Sequence, residues 1–152
     1  MERTTLHPVV MKLNFPFSTR KPSFCGRTLI EGHNTELLHR YVLAMALELK
    51  ANAADLADCE VQAIRLGGGS ASIINGSDLD HLLRLIRSCY HVAENAPVTM
   101  RTCPADINGA NMPFYNRSHV TRYDLELYSL EPLDFCTLDT PVSYTHLRAP
   151  RD

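Results

Sequence analysis

The sequence predicts an α/β fold in which about four parallel strands are covered by outer helices. Apolar stretches of strand length alternate along the chain with longer stretches whose apolar residues recur every three or four positions. The resulting order, β-α-β-α-β-α-β, implies a parallel sheet. In addition, the run Gly67–Gly69 follows a strand directly, in the place where folds of this class bind ligands.

The first half of the chain supplies two strands and one helix. Residues 9–15 are predicted to form the first strand, and a long polar loop follows over residues 17–34, a length that is often functional. Asn34 or Thr35 then caps a helix that ends near residue 51. Residues 61–66 form the second predicted strand. The apolar face of the helix is predicted to consist of Leu38, Tyr41, Val42, Met45 and Leu49.

The second half continues the same alternation. A helix is predicted to open at Ser77, with Asp80 three residues later in the arrangement of a capping box. Residues 97–102 are predicted as the third strand, residues 105–116 as a short helix and residues 120–128 as the fourth strand. We therefore assign residues 1–140 to a single domain.

The last residues, 141–152, do not continue this pattern. They show no periodicity, and the run from Ser143 to Asp152 resembles the translated adapter tails of fragmentary reading frames. We expect residues 141–152 to be a non-native tail, with a disordered natural terminus as the alternative.

Composition narrows the functional class. The chain has 152 residues, 45% of them hydrophobic and 21% charged, which is typical of a globular domain. Its formal net charge of −2 predicts no nucleic-acid partner. The apolar cluster at residues 9–11 is too short for a signal peptide or a membrane span, and five cysteines form no disulfide framework. A cytoplasmic protein without a membrane partner is expected.

The motifs around the glycine run resemble one enzyme family. Residues 64–72 resemble the Gly-Gly-Gly-Thr-Pro-Ser loop of the oxygen-independent, radical SAM coproporphyrinogen III oxidases. Residues 15–17 resemble that family's Ile-Pro-Phe, and residues 120–129 resemble its strand Val-x-Arg-x-Ser-x-Gly-x-Gln-Ser. The resemblance covers about residues 11–136. It implies that the α/β fold is a partial (β/α) radical-SAM-type barrel.

The resemblance also implies two cofactors, SAM and a [4Fe-4S] cluster. The family holds the cluster with Cys-x3-Cys-x2-Cys, whose three positions are Ser18, Pro22 and Cys25 in this chain. Phe24 keeps the aromatic residue that precedes the third cysteine. Only Cys25 offers a thiolate, because proline has no ligand atom and a serine hydroxyl is a poor substitute. Cluster binding is therefore expected to be impaired.

The same comparison assigns SAM-binding positions. The resemblance places SAM against Gly67, Gly68, Gly69, Ser70 and Arg122, together with Phe24. Three other positions depart from the family: Arg101 replaces a glutamate that contacts SAM, Tyr128 replaces a glutamine and Ala71 replaces the loop proline. From the glycines alone, a ligand loop and a tight turn are equally compatible with the sequence.

The remaining cysteines and histidines show no metal-ligand spacing. Cys59, Cys89, Cys103 and Cys136 lie where a small apolar residue would serve. His33 and His39 are expected to be solvated, and His81 and His119 lie near the predicted ligand end of the strands.

The resemblance implies an oxidoreductase of porphyrin biosynthesis, here in a truncated form with impaired cluster binding. Because two of the three cluster cysteines are replaced, the sequence leaves open whether the protein is an enzyme. The alternatives are a cluster-less homologue that binds SAM or a tetrapyrrole, and a non-functional gene fragment. The expected partners are small molecules, namely SAM and a porphyrinogen. An incomplete barrel leaves a strand edge uncovered, so self-association through that edge is also expected.

Overall fold

The computed structural model describes residues 6–18, 30–31, 34–102, 117 and 119–125. The strands are β1 (His7–Phe15), β2 (Phe17–Ser18), β3 (Ile30–Glu31), β4 (Cys59–Gly68), β5 (His91–Val92), β6 (Val98–Thr102) and β7 (Arg122–Leu125). The described residues also form the α-helices α1 (Thr35–Ala51) and α2 (Gly76–Cys89). Short 3-10 turns connect α1 to β4 at Ala54–Leu56 and β4 to α2 at Ala71–Ile73.

The main sheet is parallel throughout its described part. Its strand order is β1-β4-β6-β7, and β5 pairs with the beginning of β4. A second, two-stranded parallel sheet joins β2 to β3. The predicted α/β fold with about four parallel strands and outer helices is thus confirmed.

The core lies between one face of this sheet and the two helices. Each central strand sends every second side chain into it, as the alternation of a strand requires. The buried strand residues include Leu13, Phe15, Val61, Ile64, Leu66, Val98 and Met100, and they form one cluster with Leu38, Val42 and Ala46 of α1 and with Leu79, Leu82, Leu83 and Ile86 of α2. The opposite face of the sheet is therefore the one without these helices.

Both helices begin at an asparagine. The side chain of Asn34 accepts a hydrogen bond from the Leu37 amide over 2.9 Å, as expected for an N-cap. The predicted start of the second helix was wrong: Asn75 caps α2 and accepts from the Asp78 amide over 2.9 Å. The Asn75 amide group in turn donates to the Asp78 carboxylate over 2.7 Å. These two hydrogen bonds between Asn75 and Asp78 stabilise the start of α2, and its N-cap lies two residues before Ser77.

Asp78 also joins the two helices. It is 7% exposed, and Nδ1 of His39 on α1 lies 2.9 Å and 3.0 Å from its two carboxylate oxygens. His39 was expected to be solvated, and its side chain is indeed 50% exposed, but its ring also donates to this buried carboxylate. The link helps fix α1 against α2.

Several sequence predictions lie outside the described residues. These are the helix at residues 105–116, the part of the fourth strand beyond Leu125, and the tail at residues 141–152. The assignment of residues 1–140 to one domain stays a prediction.

Candidate functional site

The candidate site lies where β1 and β4 end side by side. Asn14 is opposite Gly67, and Phe15 is opposite Gly68. Beyond the strand, the Gly69 amide donates to the Phe15 carbonyl oxygen over 2.6 Å. Two backbone hydrogen bonds therefore continue the ladder past its end, because the Ser70 amide also donates to the Phe17 carbonyl oxygen over 2.9 Å.

The three glycines differ in how much space a side chain would have at each position. Gly68 has a φ of +99°, and a Cβ there would lie 2.8 Å from the Phe15 nitrogen. A Cβ on Gly69 would overlap the carbonyl oxygen of Phe17 and lie 2.9 Å from that of Phe15. Around Gly67, in contrast, an added Cβ would meet nothing within 4 Å. Two glycines thus permit a close backbone approach, and only Gly67 borders open space.

The two interpretations of the glycine run are not equally supported at each of its three positions. Gly68 and Gly69 belong to a tight turn that holds Ser70 against the β1–β2 segment. Gly67 is the position whose bare Cα leaves room for a ligand. The role of Gly67–Gly69, Ser70 and Arg122 in binding SAM stays a prediction.

Of the three positions that correspond to the family's cluster ligands, only the first, Ser18, lies in the described residues. Ser18 ends β2, pairs in register with Glu31 of β3 and is 8% exposed. It lies one residue after Phe17, whose carbonyl accepts from Ser70, so the glycine turn and the beginning of the loop are directly connected. Pro22, Phe24 and Cys25 lie outside the described residues, and Cys25 as a metal ligand stays a prediction.

Tyr41 of α1 fixes the end of β1 from the helix side. Its hydroxyl donates to the Asn14 carbonyl oxygen over 2.8 Å. Its ring meets the rings of Phe15 and Phe17 edge to face, with centroids 6.2 Å and 5.2 Å apart. Burial, reinforced by the charge of Glu48, raises the pKa of the Tyr41 hydroxyl. The contacts of Tyr41 position the backbone of residues 14–17, to which Gly69 and Ser70 donate their hydrogen bonds.

The helix-free face carries a row of polar side chains across four strands. Lys12 is opposite Arg65, Arg65 is opposite Thr99, and Thr99 is opposite Arg122. Lys12, Arg65 and Arg122 are all exposed. Of these, sequence reasoning identified only Arg122. Arg65 could have been identified from the sequence, because it is a charged residue between the apolar residues Ile64 and Leu66 of a predicted strand. Lys12 could be identified only from the pairing of β1 with β4.

The described residues contain no substitute for the missing cluster ligands. Among them, no group of three or more His, Cys, Asp or Glu residues is arranged to hold a metal ion. Cys59 and Cys89 are free, partly exposed thiols. The pKa of Cys59 is raised by desolvation and, to a lesser extent, by Asp58, which disfavours the thiolate that a metal would need.

The two histidines that were expected near the ligand end are both exposed. His81 lies in α2, and His119 precedes β7 with a φ of +54°. In the described ranges, we find no helix that is long and apolar enough to cross a membrane.

Sequence comparison finds relatives of two kinds. The oxygen-independent coproporphyrinogen III oxidase of Salmonella typhimurium is 25% identical over 100 residues, which are 66% of this chain and 22% of that protein. The heme chaperone HemW of Mycobacterium tuberculosis is 30% identical over 100 residues, 66% of this chain and 26% of that protein. HemW of Escherichia coli is 26% identical over 127 residues, 82% of this chain and 33% of that protein. No protein-family model matches the chain.

Structural comparison agrees with these relatives. Coproporphyrinogen III oxidase (HemN) from Escherichia coli, described as a radical SAM enzyme, matches 90% of this chain and 31% of its own with a TM-score of 0.80. The sequence identity is 18%, so the likeness shows the fold alone. The chain spans only 22% to 33% of the length of the curated relatives it matches.

Proposed function

We propose that this chain is a member of the radical SAM family that includes the oxygen-independent coproporphyrinogen III oxidases, which its fold and its sequence relatives resemble. In this proposal, the protein binds a small molecule at the C-terminal edge of its sheet but assembles its cluster poorly. The family implies SAM and a [4Fe-4S] cluster. The observation that carries the proposal is the buried side chain of Ser18 at the first cluster-ligand position.

The residues present do not fit the cluster. A [4Fe-4S] cubane is held by soft thiolates, whereas Ser18 offers a hydroxyl and Pro22 offers no ligand atom. Neither free thiol of the described residues replaces them, since Cys59 and Cys89 take part in no metal-binding group there. We therefore derive no radical step for this chain.

The residues of the glycine turn are compatible with a small polar ligand. The open space beside Gly67 lies at the end of β4, and the rigid Gly69–Phe15 contact holds that backbone in place. SAM is the ligand that the family implies for this position. Arg101 in place of the family's glutamate and Tyr128 in place of its glutamine are expected to weaken that binding, at about 1.5–3 kcal/mol for each hydrogen bond lost to a charged group.

A second candidate function is tetrapyrrole binding without catalysis. It is favoured by the likeness to proteins named heme chaperone, which is the higher of the quoted identities, at 30%. A porphyrinogen or heme would then be the small-molecule partner. Cytoplasmic localisation, the activity of any longer protein, and self-association through the open edge of the last barrel strand also stay proposals.

Anaerobic reconstitution with iron and sulfide tests the proposal. The unmodified protein should retain little iron or acid-labile sulfide after desalting, and calorimetry should show SAM binding weaker than micromolar. Retention of about four irons per chain would contradict impaired cluster binding. Tight heme binding with weak SAM binding would favour the second candidate.

A further inference from the structure

We propose that α1 pairs with α1 of a second copy of this chain, in the antiparallel direction, through an exposed face of the helix. This face, called the seam below, consists of Glu36, Arg40, Leu43, Leu47 and Lys50, and all five side chains are exposed. Their spacings alternate between four and three residues, which places them in one stripe along the helix. The ligand site lies at the ends of β1 and β4 instead, so this proposal does not depend on the proposed function.

The middle of the seam is apolar, whereas the outer face of a surface helix is normally polar. Leu43 is 44% exposed and Leu47 is 68% exposed, more than any other large hydrophobic side chain in the described residues. Helix α2 is the natural comparison, because it packs into the same core cluster as α1. The exposed positions of α2 are all polar, namely Ser77, His81, Arg84, Arg87 and Ser88. Exposed leucines are therefore a particular property of α1.

A helix placed next to α1 on the same sheet would not cover these leucines. His39 marks the side of α1 that faces α2, because it contacts Asp78. Leu43 and Leu47 follow His39 by about one and two turns, so they lie between that side and the outer surface. Tyr41 marks the opposite side, towards β1, where another helix of the layer would pack. A partner of the leucines must approach from outside the helix layer.

The charges of the seam fit a second copy of the same helix. Glu36 lies in the first turn of α1 and Lys50 in the last, and each is seven positions from Leu43. Neither forms an ion pair with another of the residues that the structure describes. An antiparallel pair with its two-fold axis at Leu43 places Glu36 of each copy opposite Lys50 of the other, and the leucines of both copies meet between them.

The alternative direction is disfavoured by the same charges. A parallel pair would place Glu36 against Glu36 and Lys50 against Lys50, and like charges repel. An acidic first turn and a basic last turn also suit the dipole of a single helix, but the dipole does not explain the leucines between them. Apolar residues in the middle and opposite charges at the two ends together indicate an isologous antiparallel contact.

The seam is short, so the dimer is expected to be weak. It extends over about 21 Å of helix, and one helix face of this length buries far less than the roughly 800 Å² per partner of a standard interface. We expect a dissociation constant on the order of 100 μM. Sedimentation equilibrium of the whole chain at low salt, from about 10 μM to 1 mM, should show a monomer that converts to a dimer.

A leucine variant tests the apolar part of the seam. Leu47→Gln should weaken dimerisation by about tenfold or more, because each copy loses one buried leucine. Leu37→Gln is the matched control: it also removes an exposed leucine from α1, but residue 37 lies about 100° around the helix from Glu36 and outside the seam. Its dimerisation should be unchanged. Circular dichroism should show the same helix content in both variants.

A charge exchange tests the direction. Glu36→Lys and Lys50→Glu should each weaken the dimer by about threefold or more, because each places like charges opposite one another. The double exchange restores opposite charges in an antiparallel pair and should return the dissociation constant to within about twofold of the original.

Three results would overturn the proposal. A monomer at every concentration would mean that no second copy occupies the seam, whether it stays bare or is covered by another part of the chain. A dimer that Leu47→Gln leaves intact, or that Leu37→Gln weakens equally, would place the contact elsewhere, as at an open strand edge. A folded double exchange that associates no better than the single variants would exclude the antiparallel pair.

Discussion

The Gly69 amide donates a 2.6 Å hydrogen bond to the carbonyl oxygen of Phe15, so the turn after β4 is attached to the end of β1. The approach is so close that no side chain fits at residue 69, where a Cβ would overlap the Phe17 carbonyl. The attachment places the open space at Gly67 beside the start of the loop that carries Ser18. The position of the candidate site therefore depends on backbone contacts rather than on a side-chain network.

Gly69→Ala should destabilise the protein by more than about 2 kcal/mol, because the added methyl group forces two backbone segments apart. Gly67→Ala is the matched control, since its methyl group enters open space, and it should change stability by less than about 1 kcal/mol. Urea unfolding followed by circular dichroism measures both. Equal loss in the two variants would show that the turn is not held as described. Gly67→Ala should nevertheless weaken any ligand that occupies that space.

Sequence reasoning predicted the alternation of strands and helices because periodicity reports burial directly, as at Ile64 and Leu66 of β4. Sequence reasoning did not predict that the three glycines have different surroundings, because those surroundings are formed by residues 14–17, which are distant in sequence. For the same reason it missed Lys12, whose opposition to Arg65 appears only after the strands are paired. The two-residue strands β2, β3 and β5 were missed because two residues are too few to show an alternating pattern.

The contact between His39 and Asp78 was not predicted, for a related reason. They are 39 positions apart in the chain, and each resembles an ordinary surface residue of an amphipathic helix. Asp80 was selected as the capping residue because of its spacing from Ser77, whereas the helix begins at Asn75. Local spacing could not distinguish the two aspartates, since the contact of Asp78 with His39 of α1 is a tertiary one.

Asp78→Asn should destabilise the protein by about 2 kcal/mol, because the buried carboxylate accepts from both His39 and Asn75. Asp80→Asn is the control on the same helix, where the carboxylate lies 3.8 Å from Arg84, and should cost less than about 0.5 kcal/mol. Urea denaturation at neutral pH compares them. The link between α1 and α2 would be refuted if Asp78→Asn behaved like Asp80→Asn.

Stability should decline as the pH rises above about 10. Burial, with a smaller effect of Glu48, raises the pKa of Tyr41, and burial followed by Cys89 and Glu48 raises the pKa of Tyr90. A raised pKa means that the fold favours the neutral phenol. The stabilisation is therefore complete below the unfolded-state value and is lost as the pH passes through the folded-state value.

The two phenols donate to the carbonyl oxygens of Asn14 and Leu49, bonds that ionisation would remove. The double variant Tyr41→Phe and Tyr90→Phe should be less stable at neutral pH but should show a shallower alkaline decline. Unfolding free energies between about pH 8 and pH 11 test this. A decline of unchanged steepness in the variant would assign the alkaline effect to other groups.

Restoring two cysteines should restore cluster binding if ligand loss is the cause of its impairment. Ser18→Cys and Pro22→Cys, together with Cys25, recreate three thiolates at the family's spacing, and removing Pro22 also frees a fixed backbone φ. After anaerobic reconstitution the double variant should retain iron and sulfide and show the broad visible absorbance of a [4Fe-4S] cluster. Each single variant is the matched control and should retain little, because it remains one thiolate short. A stable double variant that still binds no iron would show that the loop, and not its ligands, prevents assembly.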